Sequence, residues 1–279
     1  MNVWQTTRFR IDLARPQVMG IVNLTPDSFS DGGRHAGVRA ALAHCERLVK
    51  EGADILDIGG ESTRPGAEPV PLDEELARVL PILREALSLG VAISIDSYKS
   101  AVMRAALDLG VDIVNDIKAL REPGALELIA AHPSCGVCLM HMRGMEPRTM
   151  QDGEPEYHDV VQEVADFLRE RSDALLGCGV AADRITLDPG IGFGKRTEHN
   201  VLLLARQSEL LSLGFPLLAG WSRKGALGRL TGRDLDDRLV ASVAAALASV
   251  QRGARIVRVH DVAATVDGLK IWRAAGLPG

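Results

Sequence analysis

Three polar residues close otherwise apolar stretches: Asp96 in ISID, Asn115 in IVND and Asp188 in ITLD. A carboxylate left unpaired at the end of an apolar strand is costly, so the set points to a site. Together these side chains offer acceptors and one amide. That suits the edge of a flat heterocycle rich in N–H donors, such as an amino-oxo-pyrimidine. A second group is cationic. Arg64, Arg223, Lys224, Arg258 and His260 suit an anion such as a diphosphate. Asn23 ends another apolar run and offers one oxygen to a magnesium ion held mainly by phosphate and water. Asp116, Ser100 and Asp261 read instead as helix N-caps or turn formers.

The elements that must carry these residues follow a recurring phrase. An amphipathic stretch ends at glycine and a short β-branched strand follows, as in GADILDIGG, GVAISIDS, GVDIVNDI, GVCLMH, GVAADRITLDPG, GFPLLAGWS and GARIVRVHD. Each glycine (Gly52, Gly90, Gly110, Gly136, Gly179, Gly214, Gly253) reads as a left-handed helix C-cap. The strands are mostly apolar rather than alternating, as parallel strands covered on both faces are. Between them, 38–49 places Val38, Leu42, Cys45 and Val49 at helical spacing. The stretch 73–87 does so with Leu76, Val79, Leu80, Leu83 and Leu87, interrupted at Pro81. In 235–250, Leu235, Leu239, Val243, Leu247 and Val250 fall on one face. Seven phrases plus a strand at 17–23 make eight βα units. That is an α/β chain with the pattern of a (β/α)₈ barrel; a doubly wound open sheet would not require eight. Residues 1–16 are expected to cover the barrel bottom and 17–279 to form the barrel. Every strand, including the one ending at His141, then delivers a polar group to one rim.

Composition narrows the partners. Apolar residues make up 46% and charged residues 25% of 279, so a packed core is expected. A net charge of −5 argues against nucleic acid. No apolar run approaches 18 residues, so no membrane span is expected, and MNVWQTTRFRIDL lacks the plan of a secretory signal. A cytoplasmic protein is expected. Four cysteines do not make a disulfide framework. The C-x-x-C at Cys135 and Cys138 lies in an apolar strand and reads as packing. GIGFGKR (190–196) is neither a Walker loop nor G-x-G-x-x-G. Its glycines make a tight turn that leaves Phe193 free to contact a ligand. One more feature stands out: in MGIVNLTPDSFSDGG, Phe29 sits on a polar loop beyond the first strand, where no core element is possible.

These segments, MGIVNLTPDSFSDGG, GGESTRPGA, ISIDSYKS, VNDI, LMHMRG, LDPGIGFGK, WSRK and RVHDV, run in order from residue 19 to 262. They resemble the successive motifs of the dihydropteroate synthase family of pterin-binding enzymes. The resemblance implies condensation of 6-hydroxymethyl-7,8-dihydropterin diphosphate with 4-aminobenzoate, releasing diphosphate, with Mg2+ as cofactor and a homodimer as assembly. By the same match, Asp96, Asn115, Asp188, Lys224, Phe193 and Met140 would hold the pterin. Asn23, Arg64, Arg258 and His260 would bind the diphosphate, with Asn23 on the metal. Asp96, Lys224, Arg258 and His260 would carry the chemistry. Thr63, Arg64, Pro65, Ser222 and Gly225 would shape the aminobenzoate pocket, and Phe29 would belong to a lid that closes over it. Gly225 departs from the family, which usually has serine after S-R-K, so the hydroxyl is missing and only the backbone N–H remains. A non-catalytic pterin-binding relative and a pterin-dependent methyltransferase are the alternatives; the strand-8 Arg-x-His pair favours the synthase.

Overall fold

The computed structural model describes residues 2–24, 33–62, 67–144 and 155–277. Eight parallel strands close a barrel: β3 (Gln17–Asn23), β4 (Ile55–Gly59), β5 (Ala92–Asp96), β6 (Ile113–Asp116), β7 (Gly136–Met140), β8 (Ile185–Asp188), β9 (Leu217–Ala219) and β10 (Ala254–Val259), with β10 pairing back to β3. The helices between them are α1 (Gly33–Lys50), α2 (Leu72–Ala86), α3 (Ser100–Asp108), α4 (Ala125–Ala131), α5 (Val160–Gly177), α6 (Thr197–Ala205), α7 (Gly225–Thr231), α8 (Leu239–Gln251) and α9 (Val262–Ala274). The expected (β/α)₈ barrel is what the chain forms. Outward-facing strand residues such as Leu56, Ile58, Ile93 and Ile95 join the inner faces of the helices in one apolar layer.

A hairpin, β1 (Val3–Gln5) with β2 (Arg10–Asp12), precedes the barrel and pairs Trp4 with Ile11. Trp4, Ile11 and Leu13 pack with Met19, Ile55, Ala92, Ile113, Cys138, Leu218 and Ile256, the lower inward-facing residues of seven strands. The hairpin is pinned by charge as well: Arg8 grips Asp112, whose carboxylate also accepts from the Ile93 N–H.

Three local expectations fail for physical reasons. Gly136 is not a helix cap. It opens β7, and a Cβ there would lie 3.1 Å from the Gln5 carbonyl and the Trp4 indole nitrogen, so the hairpin needs its bareness. The 235–250 face holds only in its C-terminal part: Val250 is buried and Val243 and Leu247 are half-buried. Leu235 belongs to a short 3₁₀ turn, α8 begins only at Leu239, and both leucines are exposed. The buried face is Ser242, Ala245, Ala246, Ser249 and Val250. Small residues let the helix approach closely, and the two serine hydroxyls are satisfied by carbonyls four residues back. Pro81, finally, does not break α2, which continues to Ala86.

Candidate active site

In such a barrel the inward side chains form layers contributed by alternate strands. Strands β4, β6, β8 and β10 supply Asp57, Asn115, Asp188 and Arg258 to one polar layer, directly above the apolar floor. Arg258 Nε donates to Asp57 Oδ2 at 2.6 Å, and Nη2 donates to Asp96 Oδ2 at 2.5 Å. Asn115 Nδ2 donates to the same Asp57 oxygen at 3.0 Å. Burial works against the charge of Arg258, but the two carboxylates outweigh it and raise its pKa. Burial raises the Asp96 carboxyl to about 7, with Arg258 pulling it down and Asp57 pushing it up. Asp57 Oδ1, wholly buried, has no hydrogen-bond partner among the described residues. Arg258, grouped with the anion-binding cations from sequence, is thus also the counter-ion of two acceptors.

Asp188 sits at the end of β8, and its Oδ1 accepts from the Gly190 N–H at 2.7 Å. Burial raises its pKa, opposed first by that hydrogen bond and then by Lys224. The following turn carries Gly190, Gly192 and Gly194 at positive φ, as GIGFGKR suggested. Gly190 is strict about this: a Cβ there would collide with the His141 carbonyl. The turn presents Phe193, over whose ring Lys224 Nζ lies 4.1 Å from the centroid. Met140, Ile117 and Met142 pack with Phe193. Asp96, Asn115, Asp188, Met140, Phe193 and Lys224 thereby line one narrow slot.

Beside the slot opens a cavity of about 340 Å³, bounded by Asn23, Glu61, Asp96, Ser222, Lys224, Gly225, Arg238, Arg258 and His260 among others. The Ser222 hydroxyl accepts from the His260 backbone N–H at 3.1 Å and meets its Nδ1 at 3.0 Å, so it orients that ring. Arg223, expected among the anion binders, is ion-paired with Asp261 at 2.6 Å. Asp261 does occupy the N-cap position of α9, but its side chain makes no cap bond and is spent on Arg223 instead. Ser100 is not a cap, because the N-cap position of α3 is Lys99. Asp116 does form a turn, accepting from the backbone of Lys118 and Leu120. Phe29, Thr63, Arg64 and Pro65 lie outside the described residues.

Several residues of this region escaped the sequence. Asp57 lies inside β4 rather than at its end, yet in the strand ILDIG it is the lone charge among apolar residues, the same signal that marked Asp96. Lys195 is almost wholly buried, and its Nζ reaches His141 Nδ1 and the Gly190 and Phe193 carbonyls at 2.8–3.1 Å. Burial lowers its pKa to about 7. His141 therefore does not serve the rim. It is buried, edge-on to Phe167, and burial drives its pKa well below the usual imidazole value. Lys99 bridges Glu61 and Glu75 at the base of the loop that follows β4. Cys135 and Cys138 are both buried as packing residues, with Cys135 against Arg184. A larger cavity of about 570 Å³ opens at the other end of the barrel, lined by Arg15, Asp54, Trp272 and neighbours, but no comparable set of buried carboxylates converges on it.

Residues 19–260 match the family described as pterin binding enzyme. The dihydropteroate synthase of Neisseria meningitidis serogroup B is 55% identical, over 99% of this chain and 98% of its own. The chain belongs to the dihydropteroate synthase family. It is accordingly a transferase of folate biosynthesis. Solved dihydropteroate synthases superpose closely. That of Xanthomonas albilineans with 4-aminobenzoic acid has a TM-score of 0.89 at 51% identity, covering 97% of this chain and 96% of that one. That of Burkholderia cenocepacia complexed with 7,8-dihydropteroate has a TM-score of 0.89 at 51% identity, covering 98% and 96%. Family membership and the buried polar layer agree on one end of the barrel, the carboxyl ends of the strands.

Proposed function

We propose that the chain joins 6-hydroxymethyl-7,8-dihydropterin diphosphate to 4-aminobenzoate, forming 7,8-dihydropteroate and diphosphate. The observation that carries the assignment of roles is the buried layer of Asp57, Asn115, Asp188 and Arg258 beneath Asp96, opening into a cavity rimmed by Asn23, Lys224 and His260. The pterin edge lies in the slot, its N–H donors on Asp96, Asn115 and Asp188, with its ring against Phe193, Met140 and Lys224. Arg258 and His260 bind the diphosphate, and Ser222 holds the His260 ring toward it. Arg258 also bridges to Asp96, so the leaving group and the ring share one cation.

Diphosphate departs as its negative charge is matched by these cations, leaving positive charge on the pterin methylene. Asp96 and its neighbours stabilise that charge electrostatically. The arylamine then attacks, held in line by the cavity wall. No enzyme nucleophile takes part. Water must be kept out while the cation lasts, the task assigned to the segments bearing Phe29 and Thr63, Arg64 and Pro65; Arg64 also adds charge for the diphosphate. Magnesium fits as an ion brought with the diphosphate. Asn23, exposed at the end of β3, gives one hard oxygen, and among the described residues no cluster of acids, histidines or cysteines forms a resident metal site. When bound, Mg2+ supplies further charge neutralisation to the leaving group.

A homodimer completes the proposal. Leu230, Leu235, Leu239 and Val240 are exposed around α7 and α8, Val240 at 79%. A cytoplasmic location accords with four free cysteines. No described helix is long and apolar enough to cross a membrane. The test is diphosphate release from the pterin diphosphate with magnesium, with and without 4-aminobenzoate. Release that depends on 4-aminobenzoate, with dihydropteroate formed, is expected. Pterin binding without such release would contradict the reading and indicate a binding protein.

A further inference from the structure

The turn that carries Phe193 has no regular structure of its own. Residues 189–195 lie between β8 and α6 and belong to neither a strand nor a helix, so side chains must hold them. Gly190 is the pivot. Its N–H donates to Asp188 Oδ1 at 2.7 Å, and its carbonyl accepts from the Phe193 N–H at 3.1 Å. One residue thus links an acceptor of the slot to the aromatic wall of the slot. From the far side, Asn200 of α6, wholly buried, accepts from the Gly192 N–H at 2.7 Å.

Lys195 closes the inside of this turn. Its Nζ donates to the same Gly190 carbonyl at 2.9 Å and to the Phe193 carbonyl at 3.1 Å, and it meets His141 Nδ1, just beyond β7, at 2.8 Å. Three acceptors match the three protons of an ammonium. A lysine only 1% exposed ordinarily needs a carboxylate beside it. Here Asp188 favours its charge only through space, and Lys224 opposes it. His141 makes the burial workable. Burial, Lys195 and Arg121 keep its imidazole neutral. A neutral imidazole accepts from the ammonium at Nδ1 or, as the other tautomer, donates from Nδ1 to the free amine. The two turn carbonyls keep their donors in either state. The ring itself is held edge-on to Phe167, with centroids 5.0 Å apart.

We propose that Lys195, with His141 as its neutral partner, is a positioning residue for pterin recognition: it fixes the Gly190–Phe193 turn so that Asp188 and the Phe193 ring are in place before the ligand arrives. This rests on the pterin slot given under Proposed function. Neither Lys195 nor His141 lines that slot, so both act through Gly190 and Phe193. A turn ordered in advance spares the pterin the cost of ordering it on binding.

The experiment combines steady-state kinetics with amide hydrogen exchange of segment 189–195 in wild type, Lys195→Met, His141→Leu, His141→Asn and the double variant Lys195→Met/His141→Leu. Methionine keeps the length of the stem and removes the donors. In Lys195→Met the KM for the pterin diphosphate should rise about ten- to thirtyfold, with the KM for 4-aminobenzoate within about twofold of wild type. Segment 189–195 should exchange faster in that variant before any ligand is added. His141→Leu should raise the pterin KM about threefold, and His141→Asn, which keeps an acceptor near the Nδ1 position, should recover most of that loss. The double variant should be no worse than Lys195→Met, because the two side chains act as a unit. Folded Lys195→Met with the pterin KM of wild type, or with equal losses for both substrates, would overturn the proposal whatever its melting temperature. If Lys195→Met does not fold, His141→Leu with the pterin KM of wild type does the same. Wild type that binds no 6-hydroxymethylpterin in calorimetry would remove the slot itself, and this proposal with it.

Discussion

The two ends of the barrel interior are built from the same strands, two residues apart, and differ in almost every physical respect. At the lower end Ile55, Ala92, Ile113, Cys138 and Ile256 meet Trp4, Ile11 and Leu13 in a dry apolar floor. One step up the same strands lie Asp57, Ser94, Asn115 and Arg258, and then Asp96. The floor stores stability, because burial of apolar area is favourable and the Trp4 indole N–H within it is satisfied by the Arg184 carbonyl. The polar layer expends it, because buried ions must be matched one by one. Its raised carboxyls, Asp96 and Asp188, line the slot where a donor-rich ligand would complete them, while Asp57 Oδ1, without a partner among the described residues, is sealed beneath. Alternation along a strand lets one element serve both ends, since only every second residue is spent on the interior.

The largest effect that would break this contrast is Arg258→Ala. It strands Asp57 and Asp96 without their cation and should cost about 3–5 kcal/mol of stability together with nearly all turnover. Denaturant unfolding and the diphosphate-release assay would check both; loss of turnover at full stability would mean that the layer is not held by this arginine. Trp4→Ala at the other end should cost a similar 3–5 kcal/mol, but the protein that remains folded should bind pterin as wild type does in calorimetry. A pterin defect there would show that floor and site are not separable.

A smaller effect sharpens the upper end. Folding favours the protonated form of Asp96, so its contribution to stability is full at low pH and is lost as pH rises toward about 7. Pterin binding runs the other way, since only the carboxylate accepts from two donors. Pterin affinity should therefore rise through about pH 7 and level off above it, and Asp96→Asn should be weaker and lack this step. Fluorescence titration across pH 5.5–9 would settle the matter; an unchanged step in the variant would assign it to another group, with Lys195 the first suspect. Smallest of all, Cys135→Ala should leave kinetics unaltered and cost about 1–2 kcal/mol at most, measured by thermal unfolding.

The barrel was legible because its signal is repeated: glycine stops and apolar strands recur along the chain, and one misread glycine, Gly136, does not disturb the count. Strand-end acceptors were legible for a related reason, since a carboxylate closing an apolar run is rarely idle. What escaped was what depends on tertiary neighbours. Asp57 has the parity of Gly59 and faces inward, but its importance comes from Arg258, some two hundred residues away in the chain. Arg223 and Arg258 look alike in sequence and only packing separates them, one neutralised at the surface by Asp261 and the other held in the layer. The α8 face misled because leucines were weighed above alanines, whereas a helix pressed close to its strand selects small residues.

The most direct test of the central claim, that the carboxylates of the upper layer recognise the pterin, is calorimetric pterin binding to Asp188→Asn. The substitution is isosteric, keeps an oxygen for the Gly190 N–H, and breaks no ion pair of the described residues. Pterin affinity is predicted to fall by about ten- to a hundredfold, the loss of a charge-assisted hydrogen bond, with the unfolding midpoint within a few degrees of wild type. Affinity equal to wild type would contradict the claim.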